Sequence, residues 1–261
     1  MNIANKNEQT GVIKRHMSLN ERQSEILKIL KKDKRANVHA LAQALYVSEA
    51  TIRRDLNEMK DLGLVERSHG GAILPENSEE TSLFFRLEKN ASEKERAATK
   101  ALPHVPFFKS VFIDSSSTAL ALAERMDLSF KTVVTNNLPT ALLLAKKPNV
   151  TVILLGGVVQ TSSNSAVGSW TTKQLEDFSF DLMLSSCASV QNGVAHERSL
   201  DTKILKHTAF TRSKRKLLIV DHTKFSAYGT YRFAPLSEYD LVVTDAPPPN
   251  ELLDGSINLI Y

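Results

Sequence analysis

Two adjacent arginines, Arg53 and Arg54, lie in a segment whose apolar residues recur at helical spacing. At about 100° per residue, the arginines fall on one side of the predicted helix and the apolar residues on the other. The apolar side is formed by Ile52, Leu56 and Met59. A guanidinium carries N–H donors in a planar fork that matches phosphate oxygens and the edge of guanine. The pattern favours a helix that enters the major groove of DNA, although charged helix faces are often only solvated.

A second group of residues with binding chemistry is 114–118, Asp-Ser-Ser-Ser-Thr, which follows an apolar run and opens an amphipathic segment at 119–126. Hydroxyls and free backbone N–H groups at the start of a helix favour an anion, as does the helix dipole. A Ser/Thr cluster in this position also serves as a plain helix cap. These five residues alone therefore leave an anion site and a cap as alternatives.

The arginine helix needs a small body to hold it, and the preceding sequence predicts one. We predict helices at about 20–31, 38–45 and 49–62. The sequence Asn-Glu-Arg-Gln at 20–23 has the form of a capping box for the first helix. Ser48 is placed to cap the third helix, and Gly63 is suited to end it.

A β-hairpin is predicted directly after the third helix, with strands at 64–67 and 72–74 around a turn at 68–71. Gly70 and Gly71 at its tip permit positive φ and close approach to another backbone. Three helices and a hairpin make a winged helix-turn-helix. The residues expected to contact DNA are Ser48, Glu49, Thr51, Arg53, Arg54 and Asn57 on the helix and Arg67 and His69 on the wing. We expect Asp55 to pair with a neighbouring arginine instead.

The charge distribution agrees with a polyanionic partner for this part of the chain. Residues 1–74 hold 13 Lys and Arg against 9 Asp and Glu, and the other 187 residues hold 20 against 20. The whole excess of a 261-residue chain with net charge +4 therefore lies in its first quarter. Such asymmetry is expected of a domain that meets nucleic acid, although an excess of this size also arises by chance.

Several classes of protein are disfavoured by composition. No apolar run approaches the roughly 20 residues that span a bilayer, and the N-terminus lacks the apolar core of a signal peptide, so we expect a cytoplasmic protein without membrane contact. Cys187 is the only cysteine, which excludes an intrachain disulfide. The seven histidines show no metal-ligand spacing, and we expect neither a metal nor a cofactor.

From residue 94 onward, short apolar runs alternate with longer amphipathic segments. The runs lie at 111–113, 133–134, 150–155, 182–184, 217–220 and 241–243. Strands buried on both faces and separated by helices indicate a parallel sheet in an α/β domain. Polar or glycine residues follow several runs: Asp114, the pair Thr135 and Asn136, the pair Gly156 and Gly157, and Asp221 with Lys224 nearby. An open α/β sheet gathers its ligand at the carboxyl ends of its strands, which favours the anion site.

The segment at 47–56 and the wing at 67–72 resemble the DeoR family of bacterial transcriptional regulators. The family signature V-S-x-x-T-I-R-R-D-L matches the first segment, and its wing motif R-x-H-G-G-A matches the second. The resemblance continues through the C-terminal part and covers nearly the whole chain from about residue 18. It implies a Rossmann-like parallel-sheet domain similar to ribose-5-phosphate isomerase, which binds phosphorylated sugars or related metabolites.

The resemblance also implies which residues bind the effector. The family's D-S-G-T-T phosphate loop corresponds to Asp114, Ser115, Ser116, Ser117 and Thr118. Its T-N element corresponds to Thr135 and Asn136, its G-G turn to Gly156 and Gly157, and Lys203 matches a family lysine. This chain has Ser116-Ser117 where glycine and threonine are usual, and residues 34–37 lack a glycine found in many members. The first departure bears on effector identity or affinity.

We therefore expect a flexible leader at 1–17, a DeoR-type DNA-binding domain at 18–74, a linker at 75–92, and an effector-binding and oligomerisation domain at 93–261. The expected function is sequence-specific transcriptional regulation, most simply repression of carbohydrate-metabolism genes that a phosphorylated sugar relieves. The expected partners are double-stranded operator DNA, the sugar phosphate and further copies of the chain, as a dimer or tetramer.

Two alternatives remain from the sequence alone. One is activation, because the outcome depends on where the operator lies. The other is an isomerase-like enzyme with an appended DNA-binding module, for which Glu197 and Asp181 are the acidic candidates in the central segment. Trp170 is expected either in the core or at a subunit contact.

Overall fold

The structure, a computed structural model, describes residues 20–74, 83–160, 162–253 and 255–261. The chain forms two compact units, Met1–Phe85 and Arg86–Tyr261. The predicted leader at 1–17 and the first part of the predicted linker, 75–82, lie outside the described residues. The rest of the predicted linker is largely helical, because residues 83–88 and 91–92 belong to helices.

The first unit contains three helices and a small sheet. Its elements are α1 (Glu21–Asp33), β1 (Arg35–Asn37), α2 (Val38–Ala44), α3 (Glu49–Asp61), β2 (Glu66–Ser68) and β3 (Gly71–Ile73). The predicted caps are present. Asn20 and Gln23 form the capping box of α1, the Ser48 side chain caps α3, and Gly63 follows α3 with a φ of 67°.

The wing has three strands, in the order β1-β3-β2, where a two-stranded hairpin was predicted. Lys34 ends α1 with a left-handed backbone and turns the chain back, so that residues 35–37 pair antiparallel with β3. An ideal Cβ on Gly71 would lie 2.2 Å from the Ala36 carbonyl oxygen. A glycine is required there because β1 approaches so closely. This third strand was missed because its residues, Arg-Ala-Asn at 35–37, form no apolar run.

The core of the first unit lies where the three helices meet the sheet. Its fully buried side chains come from the apolar faces predicted for the helices, and Leu64, Val65 and Ala72 extend it under the wing. The helix members are Ile26, Leu27, Leu30, Val38, Leu41, Ile52, Leu56 and Met59. Burial of this stripe fixes which side of α3 faces outward.

A seven-stranded sheet forms the centre of the second unit. The helices from the domain boundary onward are α4 (Leu83–Glu88), α5 (Ala91–Ala101), α6 (Ser117–Arg125), α7 (Leu138–Leu144), α8 (Ser169–Gln174) and α9 (Leu200–Thr211). The strands are β4 (Ser110–Ile113), β5 (Thr132–Thr135), β6 (Thr151–Leu154), β7 (Val158–Gln160), β8 (Ser165–Val167), β9 (Phe180–Ser185), β10 (Ser189–Gln191), β11 (Val194–Glu197), β12 (Ser213–Val220), β13 (Tyr231–Pro235), β14 (Leu241–Thr244) and β15 (Leu259–Ile260).

All seven strands of the large sheet run parallel, in the order β15-β14-β12-β9-β4-β5-β6. The six predicted runs supply six of these strands, so the predicted α/β class is confirmed. The seventh strand, β15, has only two residues. Two smaller antiparallel sheets, β7-β8 and β10-β11-β13, were not predicted, because their short strands lack a clear apolar alternation.

Candidate nucleic-acid interface and anion site

The outer face of α3 carries most of the residues predicted to contact DNA. Ser48, Arg53, Arg54 and Asn57 are exposed, and Glu49 and Thr51 are half-buried. Ser48 Oγ accepts a hydrogen bond from the Thr51 amide at 3.2 Å and lies 2.9 Å from Thr51 Oγ1. The capping serine and its neighbour are thus ordered by each other at the start of the helix.

The two arginines differ in their surroundings. Arg53 Nη2 donates to Glu49 Oε2 at 2.9 Å. Hydrogen bonds from His39 and Arg53 hold the pKa of Glu49 below its ordinary value. Arg54 has no hydrogen bond or ion pair to any residue in the part of the chain that the structure describes. Arg54 is therefore the guanidinium most open to a phosphate or a base edge.

Asp55 lies on the inner side of α3 and fastens it to α1. Its carboxylate is 2% exposed and accepts two hydrogen bonds from Arg22, from Nε at 2.5 Å and from Nη2 at 3.0 Å. Gln23 adds a hydrogen bond to Glu58 at 2.7 Å. The expected pairing of Asp55 with an arginine is present, and the partner comes from another helix.

The wing places the other two predicted DNA contacts at its edge. His69 is exposed beside Gly70, which has a φ of 74° at the turn. Arg67 is half-buried on β2, and its Nη1 atom is buried without a hydrogen-bond partner among the described residues.

In the second unit, the predicted polar residues meet at the carboxyl edge of the large sheet, after the adjacent strands β4, β5 and β6. Asp114 directly follows β4 and is buried. Its Oδ1 accepts from the Ser116 amide at 3.0 Å, and its Oδ2 accepts from the Ser186 amide at 3.2 Å. Asp114 therefore shapes the loop that leads into α6.

The start of α6 provides free backbone donors. Ser116 caps the helix through the Ala119 amide, at 3.2 Å. The amides of Ser117 and Thr118 donate to no acceptor in the described residues. The first amides of a helix have no partner within it, and together with the helix dipole they attract an anion. The geometry supports the anion site beyond the cap.

A buried lysine lies directly beneath this loop. Lys206 Nζ is 2.9 Å from Asp114 Oδ2 and 2.5 Å from Glu197 Oε1, and all three side chains are at most 8% exposed. Burial alone lowers the pKa of Lys206, but the Asp114 and Glu197 carboxylates outweigh it and raise the pKa above its ordinary value. Lys206 therefore stays protonated and ties β4, β11 and α9 together.

The sequence predicted Lys203 as an effector contact, and that stays a prediction. The lysine that contacts Asp114 is Lys206, which the sequence analysis did not name. Lys203 is half-buried on the preceding turn of α9 and has no side-chain hydrogen bond or ion pair in the described ranges. The helix period could have predicted that Lys206 is buried. Lys206 lies on the same face of α9 as the buried Ala209 and Phe210, three and four residues further on.

Thr135 and Asn136 end β5 with different roles. Thr135 Oγ1 accepts from the Asn137 amide at 3.2 Å. Asn136 Nδ2 donates to the Ala166 carbonyl at 3.0 Å, which holds the β7-β8 hairpin. Asn136 Oδ1 is buried without a hydrogen-bond partner among the described residues. An acceptor of this kind suits a hydroxyl group of a bound molecule.

Gly156 and Gly157 follow β6 and pack against α8. Both backbone groups of Gly156 are bonded by the Gln174 side-chain amide, at 3.1 and 2.8 Å. An ideal Cβ on Gly157 would lie 1.9 Å from Thr171 Oγ1. The structure thus gives this pair a packing role, and their predicted effector contact stays a prediction.

Three basic side chains repel one another, and we call Arg86, Lys94 and Lys224 the basic cluster. The sequence analysis noted Lys224 beside Asp221 and missed the other two. Arg86 Nη1 donates to the Ser115 carbonyl at 2.8 Å. Burial, together with repulsion from Lys224 and Arg86, lowers the pKa of Lys94 to about 7. Burial also lowers the pKa of Lys224, with Asp221 opposing the change. Cations that repel one another at a helix start favour an anionic ligand.

Asp221 follows β12, as predicted, and organises the turn that carries Lys224. Asp221 is fully buried and accepts from the Thr223 hydroxyl. Asn90 Nδ2 reaches both Thr223 Oγ1 at 2.9 Å and Asp221 Oδ1 at 3.4 Å. This turn is thus bonded to the start of α5, which also carries Lys94.

The acidic candidates for isomerase chemistry are both engaged elsewhere. Asp181 lies at the amino end of β9 and accepts from the Lys109 and Ser110 amides. Bonds from Lys109 and Lys214 hold the pKa of Asp181 at about 2. Glu197 pairs with Lys206. Across the described ranges, no three His, Cys, Asp or Glu side chains are grouped to hold a metal ion, and no helix is long and apolar enough to cross a membrane.

A winged helix-turn-helix followed by a parallel-sheet α/β unit defines a class of DNA-binding regulators. Two family models place the chain within this class. Residues 22–78 match the DeoR-like helix-turn-helix domain, and residues 89–246 match the DeoR C terminal sensor domain. The chain belongs to the DeoR family of transcriptional regulators.

Curated relatives span nearly the whole chain. The HTH-type transcriptional regulator GolR of Listeria innocua is 34% identical over 86% of this chain and 90% of its own. The glycerol-3-phosphate regulon repressor of Escherichia coli is 32% identical over 89% of this chain and 93% of its own length. The L-fucose operon activator of Haemophilus influenzae is 31% identical over 90% of this chain and 95% of its own length.

Among solved structures, ribose 5 phosphate isomerase A from Neisseria gonorrhoeae aligns with a TM-score of 0.37 and 18% identity. The alignment covers 51% of this chain and 52% of the isomerase. The chain therefore spans about half the length of that enzyme.

Proposed function

We propose that this regulator represses carbohydrate-metabolism genes and that a phosphorylated sugar or related metabolite relieves the repression. The single observation that carries the effector assignment is the start of α6. The amides of Ser117 and Thr118 have no acceptor there among the described residues, and Arg86 of the basic cluster bonds the Ser115 carbonyl of the same loop. A phosphoryl group satisfies both features, since it accepts several hydrogen bonds and carries negative charge.

The exposed face of α3 supports the operator contact. Arg54 is unpaired there, and the arginine-bearing helix is fixed from behind by Asp55 and Arg22. Phosphate contacts by lysine and arginine imply an affinity that falls steeply with salt. The site of action is the cytoplasm, where the operator lies.

We infer that the chain acts as a homo-oligomer, a dimer or tetramer, because two half-sites of an operator need two recognition helices. Trp170 is 72% exposed, so the prediction that it lies in the core is wrong. Its other predicted role, at a subunit contact, fits an aromatic side chain left open to solvent.

The test uses the full chain and fluorescence anisotropy on a labelled duplex from its own upstream region. We expect tight binding to this duplex, weak binding to a scrambled duplex, and a steep loss with added salt. Glycerol 3-phosphate, glucose 6-phosphate, galactose 6-phosphate and fructose 1-phosphate are then added in turn, with inorganic phosphate as control. Equal affinity for both duplexes at every salt concentration contradicts the regulator, and release by none of the sugar phosphates contradicts the effector.

Activation is the second candidate function, and one relative named as an activator favours it. A promoter fusion in cells with and without the chain separates the two. Higher output without the chain supports repression, and lower output supports activation. The enzyme alternative is disfavoured because Asp181 and Glu197 are both paired, and a turnover assay with pentose and hexose phosphates tests it.

A further inference from the structure

The side of the second unit formed by β6, β7 and α8 leaves large apolar side chains open to solvent. Val158 and Trp170 are 73% and 72% exposed, and Leu154 and Val159 are exposed as well. Successive residues of a strand point to opposite faces, so β7 is open to solvent on both faces at Val158 and Val159. We call Leu154, Val158, Val159 and Trp170 the edge surface.

The edge surface belongs to one continuous part of the fold. Gly156 lies between β6 and β7, and the Gln174 side chain of α8 bonds its amide at 3.1 Å and its carbonyl at 2.8 Å. Val158 pairs with Val167 in the β7-β8 hairpin, and Val167 lies three residues before Trp170. The end of β6, the start of β7 and the helix α8 are therefore held together.

Both strands of the edge surface also have an open backbone edge. Within the described residues, β6 is the outermost strand of the large sheet and pairs only with β5, and β7 pairs only with β8. The strand β8 is tied to the body of the unit, because the Ala166 amide donates to the Asn136 carbonyl at 2.8 Å. An open strand edge is a template for pairing with another chain unless charges, prolines or a covering segment block it.

The segment that forms this edge carries no charge. Residues 148–172 contain no Asp, Glu, Lys or Arg, although a chain with 24% charged residues would place about six in that length. In a contact with two-fold symmetry, both copies use the same patch, and residues near the axis face their own counterparts. A charge near the axis would therefore repel its own copy, whereas an uncharged patch does not. The lack of charge favours a second copy of this chain as the partner.

The area of the edge surface also agrees with what a stable pair of subunits needs. A standard interface buries about 800 Å² on each partner, somewhat more than half of it apolar. Trp170 alone offers roughly 150–200 Å². The three aliphatic side chains bring the apolar area to on the order of 400 Å², the size of patch that marks an interaction site.

We propose that the edge surface is the contact between two copies of the second unit, related by a two-fold axis, and that Trp170 is buried in it. This inference rests on the homo-oligomer of the proposed function and assigns the surface that forms it. Aromatic side chains are enriched and charged ones depleted at the core of such contacts, and the edge surface has both properties.

The experiment uses the full chain and its own fluorescence. Trp170 is the only tryptophan, so its emission maximum and its quenching by acrylamide report on this surface alone. Both are followed on dilution over several orders of magnitude, while analytical ultracentrifugation measures the mass. Val158→Glu is compared with Tyr261→Glu, which places the same charge at an exposed residue next to β15, on the opposite edge of the large sheet. Circular dichroism monitors the fold.

We expect the wild-type chain and Tyr261→Glu to self-associate, and dissociation on dilution to shift the Trp170 emission to the red and to increase its quenching. In Val158→Glu, the Kd of self-association should rise by about 100-fold or more, because like charges then meet in the contact. If the wild-type oligomer stays intact on dilution, its emission should still lie to the blue of that of Val158→Glu.

A second variant, Trp170→Ala, is followed by ultracentrifugation alone. We expect its Kd of self-association to rise by about 30-fold, as for an aromatic residue that dominates an interface. A folded Trp170→Ala chain that associates like the wild type contradicts the assignment.

Two further results overturn the inference and leave the homo-oligomer intact. One is dissociation without any change in the Trp170 emission, because the contact then lies elsewhere. The other is an equal rise in Kd in Val158→Glu and Tyr261→Glu. A wild-type chain that stays monomeric at every concentration, alone and on operator DNA, overturns both this inference and the proposed homo-oligomer, and leaves the edge surface to a different protein.

Discussion

The outer face of α3 and the carboxyl edge of the large sheet are both charged, but they are built in opposite ways. On α3, Arg54 is exposed, and its side chain is unpaired in the described residues. At the sheet edge, Asp114, Lys206 and Glu197 are buried and bonded to one another. A surface that reads a long polyanion can remain open, whereas a site for a small anion must be held from several sides.

The two regions also differ in whether a single substitution lowers binding affinity, stability or both. An exposed cation contributes to binding and little to stability. A buried cation between two carboxylates contributes to both, because its removal leaves charges without a partner. Substitutions in the two regions can therefore be distinguished by measuring both the free energy of unfolding and the operator affinity.

The largest effect is expected from Lys206→Met. The substitution leaves two buried carboxylates facing each other, and we expect the second unit to lose about 3–5 kcal/mol of its free energy of unfolding. Urea unfolding followed by circular dichroism measures it. The control is Lys203→Met on the preceding turn of α9, with an expected change within about 0.5 kcal/mol. Equal losses in the two variants would contradict the buried ion group.

Arg54→Ala is expected to come next. Operator affinity should fall about 10–100-fold, the value of one good base or phosphate contact of roughly 1–3 kcal/mol, with the thermal unfolding midpoint unchanged. Arg53→Ala is the matched variant, and we expect a smaller loss because its guanidinium already bonds Glu49. Anisotropy titrations at several salt concentrations measure both. The comparison fails if Arg53→Ala has the larger effect.

The same substitution can be made at a helix cap in each region. Ser48→Ala and Ser116→Ala each remove a capping side chain that contributes about 1 kcal/mol of stability. We expect Ser48→Ala to weaken operator binding without changing its response to the sugar phosphate. Ser116→Ala should weaken sugar-phosphate binding and leave unliganded operator affinity intact. The controls Ser48→Thr and Ser116→Thr retain a capping hydroxyl. Anisotropy measures operator binding and calorimetry measures sugar-phosphate binding. A loss of sugar-phosphate binding in Ser48→Ala, or of operator binding in Ser116→Ala, would contradict the prediction.

The smallest expected effect on operator binding comes from chemical modification of the Cys187 thiol. Burial raises the pKa of Cys187 to about 12, so at pH 8 almost none of it is thiolate, the reactive form. We expect iodoacetamide to modify Cys187 far more slowly in the native chain than in urea, and operator binding to survive the treatment. Mass spectrometry over time measures the rate. Similar rates in both conditions would indicate that the second unit opens readily.

The first unit was largely predictable because its signals are local. The capping pair Asn20 and Gln23 is three residues apart, and Ser48 lies at the start of the helix that it caps. The apolar runs likewise predicted six strands of the large sheet, since strands buried on both faces are continuous in sequence. The strand β15 has only two residues, and β1 consists of Arg-Ala-Asn without an apolar run, so neither shows such a pattern.

The sheet edge was predictable only in part because its contacts join distant segments. Asp114 was found from its loop, but its partners Glu197 and Lys206 lie in a later strand and helix. Arg86 reaches Ser115 across 29 positions, and Asn90 reaches Thr223 across 133. No local period marks such pairs. Lys206 was open to prediction from the helix period, which places it with the buried residues of α9.

The double hydrogen bond between Arg22 and Asp55 has a consequence for the thermodynamics of DNA recognition. Together with the bond from Gln23 to Glu58, it orders α3 before any partner arrives. Association then loses conformational entropy mainly in surface side chains, since no helix has to form on the duplex. Binding by the first unit should accordingly show only the modest negative heat-capacity change of a rigid encounter, without the large signature of coupled folding.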